Sequence, residues 1–114
     1  MKLVALTAIV AALAISTTAT AATPTLVGVT GPGFTITLKK AGKKVTKLTH
    51  GTYVFKISDK SNIHNFHLTG PGVNKKTSVG GTGTSTWKLT LKKGTYKFIC
   101  DPHATIMKGS FTVS

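Results

Sequence analysis

The chain predicts an all-β fold, a sandwich or barrel of seven or eight short antiparallel strands. Two observations carry this reading. Beyond Pro24, apolar and polar residues alternate with a period of two almost throughout, the pattern of a strand with one buried face. Clusters of glycine, proline, asparagine and aspartate interrupt that alternation at short intervals, where the backbone must turn.

Taken in order, the runs fall near 25–30, 34–40, 45–49, 52–58, 63–69, 85–91, 94–100 and 109–114. Phe34, Ile36 and Leu38 interleave with Thr35, Thr37 and Lys39, and Tyr53, Phe55 and Ile57 frame Val54 and Lys56. Trp87, Leu89 and Leu91 alternate with Lys88, Thr90 and Lys92, while Tyr96 and Phe98 enclose Lys97. Aromatic and β-branched residues suit such half-buried pleated surfaces. The breaks are Gly31-Pro32-Gly33, Ala41-Gly42-Lys43, His50-Gly51, Asp59-Lys60-Ser61-Asn62, Gly70-Pro71-Gly72, Gly80 to Gly83 and Lys93-Gly94. No helical apolar period occurs after residue 22, although a single turn around 104–108 fits the sequence.

Residues 1–21 read as an export signal rather than as part of the fold. Lys2 provides a positive start, Leu3 to Ile15 is apolar apart from Thr7, and Ala19-Thr20-Ala21 forms a cleavage site of small residues. The apolar run falls short of the roughly 20 residues needed to span a bilayer. The expected product is a single domain over 22–114, exported to a periplasm or to the outside of the cell.

Fifteen lysines face only Asp59 and Asp101, with no arginine and no glutamate, for a net charge of +13. Nucleic acid is the usual partner of so basic a chain. Here export, the missing arginine forks and the scatter of lysines along strands all oppose it. An acidic protein partner, such as a cytochrome or oxidase domain, and electrostatic association of the monomer with an anionic cell surface fit the charge better. A plain solvated lysine surface that keeps a small domain soluble is the other reading.

One cysteine in an exported domain can form no internal disulfide, so Cys100 is a ligand, a reactive thiol or an unpaired liability. Its neighbours favour a ligand: Cys100-Asp101-Pro102-His103 is followed closely by Met107. His64 lies in a strand-like run upstream. A thiolate, two imidazoles and a thioether are the donors that select copper in a trigonal electron-transfer site. Pro102 stiffens the turn between Cys100 and His103. His64 and His67 have opposite parity, so on a regular strand only one of them faces Cys100. His50, in a turn, is expected to face solvent.

The block from Gly94 to His103, with Met107-Lys108-Gly109-Ser110-Phe111-Thr112-Val113 after it, resembles the C-terminal end of plastocyanin-like cupredoxins. The pair His64-Asn65 resembles the first histidine ligand of that family and its following asparagine. The resemblance implies a Greek-key β-sandwich, one copper ion shuttling between Cu(I) and Cu(II), and the ligands His64, Cys100, His103 and Met107. It implies further that Asn65 hydrogen-bonds the ligand loop. Three residues separate His103 from Met107, which leaves Thr105 or a backbone carbonyl as alternatives for the axial position. Asp101 either points at the metal, lowering its potential, or lies in solvent as a turn residue.

The function expected is that of a small electron carrier and not an enzyme, since two aspartates supply no convincing acid–base pair. The rival readings are a copper-delivery protein, which would show clusters of exposed methionine and histidine, and an interaction domain that keeps the fold without using the metal.

Overall fold

The computed structural model describes residues 7–12 and 21–114. Most of the expected export signal lies outside the described residues. Among the described residues no helix is long and apolar enough to cross a membrane.

Ten strands build a Greek-key β-sandwich. They are β1 (Thr25–Thr30), β2 (Ile36–Lys40), β3 (Lys43–Lys44), β4 (Lys47–Leu48), β5 (Gly51–Asp59), β6 (His67–Gly70), β7 (Val73–Lys76), β8 (Gly83–Leu91), β9 (Gly94–Ile99) and β10 (Lys108–Val113). One sheet runs β3-β2-β1-β5-β8 and the other β4-β10-β9-β6-β7. The strands are not all antiparallel, as the sequence suggested: β1 pairs parallel with β5, and β10 parallel with β4. Both parallel pairs join strands that are distant in sequence, so local turn signals carry no information about them.

Several elements also differ from expectation, the run at 34–40 becoming a strand only from Ile36. The run at 63–69 becomes a strand only from His67, because a turn occupies Ser61 to His64, where the His64 amide reaches the Ser61 carbonyl at 3.5 Å. The run at 45–49 yields only the two-residue β4, while β3 forms just before it. Strand β7 has no counterpart among the expected runs, since Val73-Asn74-Lys75-Lys76 has one apolar residue and pairs only along one side.

The alternation itself holds. Leu26, Tyr53, Phe55, Ile57, Trp87 and Leu91 from one sheet meet Leu68, Tyr96, Phe98, Phe111 and Val113 from the other, all buried. Phe66 stacks on Phe98 at 5.5 Å, and Tyr96 on Phe111 at 5.2 Å. Such pairs add about 0.5–1.5 kcal/mol each beyond their area burial. The buried Tyr96 hydroxyl is satisfied, accepting from the Lys92 amide and donating to its carbonyl, both at 2.9 Å. Every lysine among the described residues is exposed.

Gly70 packs against the face of Tyr96, where an added β-carbon would enter the ring. Gly70→Ala should therefore destabilise the domain by about 1–3 kcal/mol, as overpacking does, in chemical denaturation. An unchanged midpoint would show that the ring moves aside freely.

The register brings one set of strand ends together. Thr30 ends β1 beside Ile36 and Asp59, and Lys108 opens β10 beside Ile99, which itself lies opposite His67. The connections leaving this pole hold the residues with chemistry.

Candidate metal centre

Cys100 follows the last residue of β9 and leads into a short 3-10 turn, Asp101–His103, with Pro102 in its first positions. The turn is closed by backbone bonds. The His103 amide donates to the Cys100 carbonyl at 3.0 Å, and the Met107 amide to the His103 carbonyl at 2.8 Å. The Cys100 amide donates to the Met107 carbonyl at 3.0 Å, so cysteine and methionine pinch the loop at its base. The helical turn expected around 104–108 thus begins earlier, at Asp101.

His64 reaches this loop from the turn before β6. Cys100, His64 and Met107 are fully buried, and His103 is half-buried. The Nδ1 atoms of His64 and His103 stand 3.1 Å apart. Cys100 Sγ lies 3.7 Å from the first and 3.5 Å from the second. Two ring nitrogens so close cannot both carry a proton, so at least one offers its lone pair to the centre. A triangle with these sides has its centre about 2.0 Å from each corner, close to the 2.0–2.3 Å bonds that imidazole and thiolate make to a late first-row ion. The donor set fits a metal ion in both chemistry and spacing.

Asn65 locks the two halves of the site. Its backbone amide points at Cys100 Sγ at 3.4 Å. Its side-chain oxygen accepts the Asp101 amide, and its Nδ2 donates to Asp101 Oδ2, both at 2.7 Å. The same Nδ2 also reaches the Thr77 carbonyl at 3.3 Å. The expected bond from Asn65 to the ligand loop is therefore present.

Asp101 is the turn residue of the two alternatives, and its carboxylate is occupied by neighbours. Besides Asn65 it accepts from His67 Nδ1 at 2.8 Å. His67 Nε2 meets Asn74 Oδ1 at 2.6 Å, so both ring nitrogens face acceptors. Burial works against the imidazolium, but the Asp101 and Asn74 bonds outweigh it and hold the His67 pKa above its ordinary value. Burial likewise opposes the Asp101 carboxylate, yet the bonds from His67 and Asn65 hold it below the usual range. His67 is thus excluded from the donor cluster, although not by strand parity: His64 precedes the strand altogether. His50 faces solvent as expected, with Nδ1 at 3.0 Å from the Ser114 carbonyl.

Two residues of the site escaped sequence reasoning. Phe34 alternates with Ile36 and Leu38 and so read as core, but it precedes β2 and is 56% exposed. Its ring stands edge-on to His64 at 5.3 Å and to His103 at 5.0 Å. The loop of Gly31, closed by a bond from its amide to the Thr35 carbonyl at 2.9 Å, carries it there. Asp59 read as a turn residue, yet it ends β5 and is only 5% exposed. Burial raises its pKa above the ordinary carboxylate value, partly offset by the Ser61 amide and by His64.

The sandwich, the two histidines and cysteine converging at one pole, and the family match together make this a cupredoxin-like blue copper protein. The model of the copper-binding proteins of the plastocyanin/azurin family matches residues 34–114, and the chain belongs to that family. Its cofactor is one copper ion. No curated protein matches the chain in sequence. Among solved structures it is similar to reduced rusticyanin, with 19% identity and a TM-score of 0.61 over 84% of this chain and 82% of that one. It is also similar to rusticyanin from Thiobacillus ferrooxidans, with 21% identity and a TM-score of 0.57 over 83% and 79% of the two chains. These likenesses concern the fold.

Proposed function

We propose that this protein is a small exported electron carrier in which His64, Cys100 and His103 would hold copper, with Met107 as a further, weaker donor. The observation that carries the reading is the convergence of the two Nδ1 atoms and Sγ within 3.1–3.7 Å of one another. Copper, when bound there, supplies a one-electron couple between its cuprous and cupric states. The chain supplies rigidity. Cys100 is fixed by the end of β9, by the hydrogen bond its amide donates to the Met107 carbonyl and by Asn65; His64 is anchored by a turn packed beneath Gly31. Donors held this firmly suit a centre that changes oxidation state with little rearrangement. A protein that hands its metal on would be better served by mobile, exposed ligands.

Met107 is favoured over Thr105 as that further donor, because Met107 is fully buried at the base of the loop while Thr105 is exposed. Met107→Leu should keep copper and colour but raise the reduction potential, since a weak thioether donor would help the cupric state. Voltammetry that finds the potential and spectrum unchanged would reduce Met107 to packing.

Electrons would pass through the half-buried His103, the donor nearest solvent. Beside it Phe34 and Ile106 are exposed to 56% and 63%, and Ile63, next to His64 in sequence, to 48%, apolar side chains on which a partner could seat. Every lysine among the described residues is exposed, while of the two aspartates one is buried and the other is paired with His67. An acidic redox partner, such as a cytochrome or oxidase domain, would be steered onto this surface, with the carrier acting as a monomer.

Electron transfer to an acidic acceptor should be fast at low salt and slow steeply as ionic strength rises. Stopped-flow mixing tests this, alongside copper transfer to a weak chelator. Rapid surrender of the metal together with slow electron self-exchange would favour copper delivery instead.

A further inference from the structure

Three buried side-chain atoms among the described residues have no protein partner: Thr30 Oγ1, Asp59 Oδ2 and His64 Nε2. Buried polar groups almost always find one. These three belong to one place. Thr30 and Asp59 are register partners at the ends of β1 and β5, and the Lys60 amide ties the two ends together by donating to the Thr30 carbonyl at 3.0 Å. The next residue, Gly31, turns at a φ of 76° directly against His64. A β-carbon on Gly31 would stand 3.0 Å from the imidazole Cδ2, the carbon bonded to Nε2, and 3.1 Å from Ser61 Cβ. Ser61 closes the other side, its amide donating to Asp59 Oδ1 at 3.1 Å and its carbonyl accepting the His64 amide. The Nε2 edge of the ring is therefore enclosed by the same two strand ends that bear the hydroxyl and the carboxylate.

The chemistry of the three atoms is complementary. With Nδ1 turned to the metal, His64 carries its proton on Nε2 and needs an acceptor. Asp59 Oδ2 accepts only, and a threonine hydroxyl can donate or accept. One water that takes the Nε2 hydrogen and gives its own two to Asp59 Oδ2 and Thr30 Oγ1 satisfies all three. Buried waters typically make about three such bonds.

The geometry points to a buried water site bounded by Thr30, Asp59 and His64, through which Asp59 acts as a positioning residue for the metal-bound histidine. It rests on the assignment of His64 as a ligand through Nδ1. A carboxylate linked to the far nitrogen of a ligating histidine fixes the ring's tautomer and orientation and makes it a stronger donor. In its ionised form Asp59 also favours the cupric over the cuprous state through its negative charge, and so holds the reduction potential down.

The test uses the full copper-loaded chain with Asp59→Asn, which keeps an acceptor for the Ser61 amide, and Thr30→Val, which keeps the shape and removes the hydroxyl. Both should retain the visible absorption band. Asp59→Asn should shift the reduction potential upward, and Thr30→Val should shift it the same way by less. In the reduced wild-type protein the His64 Nε2 proton should give an NMR resonance in slow exchange with solvent, and exchange should speed up in both variants. Potentials equal to the wild type with the band retained would overturn the proposal, as would rapid exchange of that proton in the wild type. If Asp59→Asn does not fold, Thr30→Val and the wild-type resonance decide. A wild-type protein without the band would instead remove the ligand assignment beneath it.

Discussion

Replacing Cys100 with serine should abolish the visible colour of the copper-loaded protein while leaving the sandwich folded. The strong absorption of such a site comes from charge transfer out of a sulfur held close to copper, and no other side chain among the three converging donors can supply it. The fold does not depend on the thiol. The bonds that close the loop run from backbone to backbone, from the Cys100 amide to the Met107 carbonyl and from the His103 amide to the Cys100 carbonyl. A serine hydroxyl would also retain the Asn65 amide and the two imidazoles as neighbours, so its burial should cost about 1 kcal/mol. Copper affinity should fall by more than roughly a hundredfold, since even residues that merely support a ligand change affinity 10–100-fold. Absorption after titration with cupric ion, paired with circular dichroism, separates the two effects. A variant that keeps the band would mean that sulfur is not a ligand.

The second large effect separates two histidines three positions apart. His64→Ala should lose the site, because it removes one of the three converging donors and opens a cavity beneath Phe34. His67→Ala should keep copper and colour. It removes the partner of Asp101, but the pair is partly solvated, and such a pair contributes at most about 1 kcal/mol. That contribution has a pH signature. The His67 pKa is raised in the fold, so its stabilisation is present below the ordinary histidine range and is lost as pH rises through the raised value. Wild type and His67→Ala should therefore converge in stability on the alkaline side. If His67→Ala destroys the site and His64→Ala spares it, the ligand assignment is reversed.

Much of this was legible in the sequence because two signals are local. Period-two alternation located the long strands β5, β8, β9 and β10 to within a residue or two, since their inward residues, such as Tyr53-Phe55-Ile57 and Tyr96-Phe98, are large and their outward ones lysine or threonine. The cysteine–histidine loop was legible because its members are neighbours in the chain. What failed depended on contacts between distant segments. The parallel pairing of β1 with β5 has no turn to announce it. The edge strand β7 needs little apolar surface, and Phe34 faces outward although its parity matches that of buried residues. Asp59 looks like any loop aspartate until the strand ends bring Thr30 and His64 around it. His64 does join the donor cluster, but parity is not the reason: it sits in a turn, where strand parity says nothing about direction.

The most direct measurement is the visible absorption spectrum of the protein titrated with cupric ion. An intense sulfur-to-copper charge-transfer band should grow linearly and stop at one copper per chain, and an equal addition of zinc should not displace it. A protein that binds cupric ion yet stays colourless, or that prefers zinc, would contradict the assignment of His64, Cys100 and His103 as a copper electron-transfer site.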